Sequence, residues 1–270
     1  MTVGPPLTEV ELVSAWDHAL GQPAARRPLL LLGREDADRL PVGEVAALLL
    51  TTARGWAGDR VEAVLDCPAC PERLEVGFAV ADLLAAAPDR PLETGPAGDD
   101  DLNPPRAPGT SGNAGLNRPR EPGTAGAGGG TFTLHWRGHR LTLRLPTPAD
   151  LAEAARTGDA AAAERWLLRA CLLAADPPLD DPVAAVAEVS AAMAERDPLG
   201  VVAVGLTCPG CGTTTEALVD LPAWAWQAAD ARVRRLLGEV HRLARAYGWS
   251  ETEVLGLGPH RRAAYLEQVP

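Results

Sequence analysis

Two short stretches, Asp66-Cys67-Pro68-Ala69-Cys70-Pro71 and Thr207-Cys208-Pro209-Gly210-Cys211-Gly212, share one pattern 141 positions apart, and they constrain the chain more than any other feature in it. Each follows a run with strand character, Val61-Glu62-Ala63-Val64-Leu65 in one case and Val201-Val202-Ala203-Val204-Gly205-Leu206 in the other. Each precedes a second such run, with Glu75 and Glu216 at the same offset. Strand, C-P-x-C, strand is the shape of a zinc knuckle. Two thiolates from one tight turn face an ion, and a tetrahedral site needs four ligands, so two knuckles complete one site. The expectation is a single structural Zn2+ on Cys67, Cys70, Cys208 and Cys211 that ties the two ends of the chain together.

Paired C-x-x-C motifs are specific, but their usual separation is far shorter than the 137 residues that intervene here. A shared ion therefore requires the two hairpins to pack against each other. A disulfide or an empty site is the alternative. C-P-x-C also resembles the glutaredoxin active site, which would make the chain a thiol–disulfide oxidoreductase. That chemistry uses a helix N-terminus to lower the thiol pKa, whereas the residues after both motifs alternate like strands. Cys171 lies in the apolar run Trp166 to Leu173 and reads as an inert core residue.

The chain has 270 residues, enough for one large domain or two small ones. Its net charge of −11 disfavours a nucleic-acid footprint, so a zinc-ribbon regulator of nucleic acid is the weaker alternative. All 25 cationic side chains are arginine. The start, Met1-Thr2-Val3-Gly4-Pro5-Pro6, has no secretory character. The run Leu29 to Leu32 is far shorter than the roughly 20 residues that cross a bilayer, so no membrane role is expected. A cytoplasmic location keeps thiols reduced and favours metal over disulfide.

Residues 1–90 read as an N-terminal helical lobe carrying the first knuckle. Its helices are expected over Leu7–Leu20, from Pro28, over Pro41–Trp56 and over Val80–Ala87. Between positions 91 and 130, 17 of 40 residues are Gly or Pro, which predicts a disordered linker. Residues 131–220 read as an α+β lobe. It opens with a hairpin turning at Arg137-Gly138 between His135 and His139, which are expected to face solvent. A helix capped by Thr147 and begun by Pro148 follows, then helices at about Ala160–Leu173 and Val183–Arg196, then the second knuckle. Residues 221–270 read as a helical docking module: Val233, Leu236, Val240, Leu243 and Tyr247 recur at spacings of three and four, as a seam that fits a partner's groove. Arg232, Arg234, Arg235, Arg242 and Arg245 lie around it without making a dense basic face, so a DNA-reading helix–turn–helix is disfavoured. Ser250-Glu251-Thr252-Glu253 is a capping box, and Pro259 starts a last helix. No nucleophile elbow, glycine-rich phosphate loop or His/carboxylate cluster is present, so no catalytic residues are expected.

Several stretches carry a family resemblance. Arg144-Leu145-Pro146-Thr147-Pro148-Ala149-Asp150-Leu151 and the helix with Arg169-Ala170-Cys171-Leu172, followed by a CPxC knuckle, resemble the T-even-type baseplate hub assembly protein family. So does the tail, Glu239-Val240-His241-Arg242-Leu243-Ala244-Arg245-Ala246-Tyr247-Gly248-Trp249-Ser250-Glu251, closing with Arg261-Arg262-Ala263-Ala264-Tyr265-Leu266. The upstream stretch Asp66 to Glu75 is similar to longer versions found with phage-tail-like contractile injection systems. The resemblance implies a non-enzymatic protein, either a baseplate component or an assembly chaperone, whose partners are baseplate, hub or spike proteins. Only the CPxC cysteines carry over with a chemical role, and Pro71 stands where a Gly usually follows the second cysteine. The combined expectation is an α+β protein, mainly helical, with two lobes and small β-hairpin knuckles meeting at one Zn2+.

Overall fold

Thr8 opens the first helix, α1 (Glu9–Leu20), through a capping box with Glu11, and places Leu12 and Ala19 on its buried face. The computed structural model describes residues 7–86 and 130–269. The segment from Pro28 extends only one turn, α2 (Arg27–Leu30), before α3 (Val42–Ala57). Pro41 stands at the N-cap of α3 rather than in its first turn. The hairpin β1 (Arg60–Asp66) and β2 (Arg73–Ala79) follows, then α4 (Val80–Ala86). The linker expected over 91–130 lies, apart from Gly130, outside the described residues.

Order resumes with β3 (Thr131–Trp136) and β4 (His139–Arg144), joined at Arg137-Gly138, where both residues have positive φ. Thr147 caps α5 (Pro148–Ala155), and its partner Asp150 is buried and held by Arg144 at 2.5 and 2.8 Å. Burial opposes ionisation of Asp150, but the Arg144 guanidinium and the Thr147 N–H and hydroxyl outweigh it and hold the carboxyl below its usual range. The helix expected to run to Leu173 ends earlier: α6 (Ala160–Cys171) gives way to β5 (Leu172–Asp176), which pairs with β4 and completes a three-stranded sheet. A 3-10 turn over Pro182–Ala185 leads into α7 (Val186–Arg196), and a second hairpin, β6 (Val202–Thr207) and β7 (Thr214–Val219), follows. Asp220 caps α8 (Leu221–Tyr247), and Gly248 ends it in the left-handed conformation. Two short helices close the chain, α9 (Glu251–Leu255) and α10 (Pro259–Leu266).

The apolar residues gather in clusters that cut across the expected domain boundaries. Ala225, Ala229 and Val233 of α8 are buried with Leu12 of α1, Leu29 of α2 and Val45, Leu48, Leu49 and Ala53 of α3. Trp16 Nε1 reinforces this by donating to Asp230 at 2.8 Å. The first half of α8 is therefore part of the N-terminal helical core. Of the seam expected to face a partner, Val233, Leu236 and Leu243 are fully buried in their own chain, Val240 is half-buried and Tyr247 is exposed. A three-four spacing reports an apolar stripe and not what covers it. Arg262 of α10, only 2% exposed, locks this arrangement: it donates to both Glu9 oxygens (2.6 and 2.8 Å) and to Glu239 (2.6 Å), and Arg232 also donates to Glu9.

The β3–β4–β5 sheet builds a separate cluster with α6 and α7 from Phe132, Trp136, Leu141, Leu143, Leu168, Val189 and Ala192. It is joined to the rest by Val42, which donates to Pro146 O at 3.0 Å, and by Asp197, which accepts from Gly43 N at 2.9 Å. A Cβ on Gly43 would collide with the Asp197 carboxylate, so glycine is required at this crossing. Among the described residues no helix is long and apolar enough to cross a membrane.

Candidate metal centre

The two hairpins have one register. Val61 pairs with Phe78 and Asp66 with Arg73 in the first; Val202 pairs with Val219 and Thr207 with Thr214 in the second, each residue shifted by 141. Each loop is closed by the same bond, Cys67 N to Glu72 O and Cys208 N to Thr213 O, both 2.9 Å. Inner-face side chains meet in a shared core of Val61 and Val80 with Val219 and Leu221, against Ala46 and Leu50 of α3. Above them Leu65, Leu74 and Leu206 surround the cysteines. Burying each such aliphatic side chain is worth about 2 kcal/mol, so apolar contact alone presses the two loops together.

At their tips, the Sγ atoms of Cys67, Cys70, Cys208 and Cys211 all lie within 4.8 Å of one another. Cys67 and Cys211 are 3.7 Å apart, and Cys70 and Cys208 are 3.6 Å apart. Shifting by 141 turns the first pair into the second, so the site has an approximate two-fold relation through its centre. An ion held tetrahedrally by four thiolates at about 2.3 Å requires sulfurs about 3.8 Å apart, and these two pairs are within 0.2 Å of that edge. A disulfide requires about 2.05 Å, and all five cysteines are free thiols. The disulfide alternative is therefore not what the structure contains, and the donor set fits a metal ion.

The electrostatics agree with that fit. The hydroxyl and N–H of Thr213 favour the Cys211 thiolate, and with the neighbouring sulfurs they bring its pKa down to about 6. At Cys70 the Glu72 N–H favours the thiolate, but desolvation and the sulfurs of Cys211, Cys208 and Cys67 push the thiol up to about 12. Four sulfurs this close cannot all carry charge without a cation at their centre. Ala69 N points at Cys67 Sγ from 3.5 Å, an N–H contact that suits a ligated thiolate. Cys67 and Cys208 are buried, Cys70 is half-buried and Cys211 is exposed, so the site sits just under the surface.

Both motifs lie between strands, so neither has the helix N-terminus that a glutaredoxin-like thiol uses. Cys171 is buried away from the cluster, and burial pushes its thiol up to about 11. His135 is exposed on β3, while His139 Nδ1 lies 2.7 Å from Pro177 O rather than simply facing solvent. Among the described residues, the four cysteines are the one group of three or more His, Cys, Asp or Glu side chains whose donor atoms converge.

The sequence reading missed how far the repeat extends. At the same offset of 141 and without a gap, residues 41–86 match 182–227: Pro41, Val42, Val45, Ala46, Ala53, Val61 and Leu65 recur as Pro182, Val183, Val186, Ala187, Ala194, Val202 and Leu206. Helix, hairpin and helix coincide in both copies, α3 with the 182–196 segment and α4 with the start of α8. The signal was present but dilute, because most matches are single Ala or Val residues. Compared with protein-family models, curated proteins and solved structures, the chain gives no match.

Proposed function

We propose that the protein is a non-enzymatic, zinc-stabilised component of a contractile phage-tail-like injection system, serving as a baseplate part or as a hub assembly factor. The observation that carries the structural half of this reading is the convergence of four sulfurs from hairpins 141 residues apart. An all-thiolate tetrahedral set selects Zn2+ over hard cations, and four protein ligands leave no open position for substrate. Because the site does not pre-exist in the unfolded chain, ligation free energy becomes folding free energy. The ion then fixes the hairpins and, through α3 and α8, the helical body they rest on.

The assembly half comes from the resemblance of the 144–151 stretch and of the tail from Glu239 to Leu266. Its partners are baseplate, hub or spike proteins, met in the cytoplasm where such particles are built. The test is assembly. Removing this chain, or introducing Cys208→Ser, in a system that expresses a complete particle should leave few full-length sheathed particles by electron microscopy. Normal particle numbers without the chain would overturn the assembly role. Mass spectrometry of purified particles then separates a retained subunit from a transient factor.

A further inference from the structure

With its apolar stripe turned inward, α8 shows solvent a face that is not neutral. We infer that this face, over the C-terminal half of the helix, docks an acidic segment of a partner protein. At 100° per residue the side opposite Val233, Leu236 and Leu243 carries Arg234, Arg235, His241, Arg242 and Arg245, and all five are exposed. Two carboxylates of α8 itself are engaged: Asp230 accepts from Arg234 at 2.8 Å, and Glu239 is turned inward to Arg262. Among the described residues Arg235, Arg242 and Arg245 make no ion pair, although the chain has 36 acidic side chains against 25 basic ones. Arg242 donates only to Leu266 O, at 3.3 Å. What looked like arginines scattered around a seam is a one-sign stripe about 15 Å long, from Arg235 to Arg245.

Helix polarity explains part of it. A cation in the last turn is favoured by the carbonyl end of the helix, which accounts for Arg245 and leaves Arg235 unexplained. Cations on neighbouring turns repel, and among the described residues no ion pair to Arg235, Arg242 or Arg245 offsets that repulsion. The helix that carries the stripe is anchored from behind by Arg262, Glu9 and Arg232, so little backbone entropy is lost on binding. Arginine is among the side chains that most often dominate interface energetics. Charge complementarity specifies carboxylates about one helical turn apart. A protein segment satisfies this better than nucleic acid, because the chain's net charge of −11 repels a dense polyanion at long range.

The inference does not depend on which assembly the protein serves. The probe is a fluorescent helical peptide about 18 residues long, with glutamates at successive turns of one face. It is titrated against the full zinc-loaded chain and read by anisotropy. Binding in the micromolar range at low salt is expected, with loss of binding when the glutamates become glutamines. The triple variant Arg235→Glu, Arg242→Glu, Arg245→Glu should weaken binding by about tenfold or more. The variant Arg156→Glu, Arg165→Glu, Arg169→Glu, which makes the same change in net charge just after α5 and on α6, should change it less than about twofold. Equal zinc content and melting temperature establish that both variants fold; if the first does not, the glutamine triple at the same positions replaces it. Absence of binding, equal effects of the two triples, or tighter binding of an oligothymidine strand than of the peptide would each overturn the assignment.

Discussion

The two hairpins are one backbone pattern built twice, and their side chains differ on both faces. Register, loop-closing bond and the placing of both cysteines match position for position, while on the inner face Leu74, Val76 and Phe78 give way to Thr215, Ala217 and Val219. Their outer faces differ more. The first carries Arg60, Glu62, Asp66, Arg73 and Glu75; at the equivalent positions the second has Val201, Ala203, Thr207, Thr214 and Glu216. Arg60 lies across Gly77 in the first hairpin, whereas Leu218 stands there in the second, 69% exposed. The loops differ as well. Gly212 takes φ +73 and donates to Cys208 O at 2.9 Å, which Pro71 cannot do because it has no N–H. The sulfurs still converge. Convergence is therefore set by the shared core beneath the loops and by the ligand positions, not by one preferred loop conformation.

The sharpest way to break this equivalence is through the ligands. Cys67→Ser and Cys208→Ser, at the two buried positions, should each release the metal and lower stability by about 4 kcal/mol or more. Cys70→Ser and Cys211→Ser, at the rim, should resemble each other and do less. Zinc content and thermal melting of the four variants measure it, and strongly unequal effects at Cys67 and Cys208 would refute the two-fold relation. The core should be less symmetric than the ligands. Val61 is fully buried and Val202 only half-buried, so Val61→Ala should cost about 2 kcal/mol and Val202→Ala about half that, by denaturant unfolding.

Those experiments act on features that the sequence displayed to very different degrees. The cysteine spacing, the strands on either side of it, the Thr147 cap and the Ser250 capping box are local signals, and each matches the structure. The strand Leu172–Asp176 was not legible, because a five-residue run after a helix becomes β only by pairing with β4. The burial of Val233 in the α8 seam was not legible either, since the residues that cover it lie about 180 to 220 positions earlier. Arg262 looked like an ordinary tail arginine; its partner Glu9 is 253 residues away, and no local pattern reports such a pair.

Smaller effects probe the loops and the outer faces. Gly212→Ala should cost about 1 kcal/mol through its left-handed backbone, whereas Pro71→Ala should cost less, acting through the unfolded chain alone. Comparable losses at both sites by chemical denaturation would mean that the first loop carries strain of its own. Leu218→Thr, on the outer face, should stay within about 0.5 kcal/mol of the parent. A larger loss would show that this face is covered in the folded chain.

The central claim is most directly tested by combining metal stoichiometry with X-ray absorption at the zinc edge on the unmodified protein. The account predicts one zinc per chain with four sulfur neighbours at about 2.3 Å. A metal-free protein, or a zinc shell containing nitrogen or oxygen in place of sulfur, would contradict it.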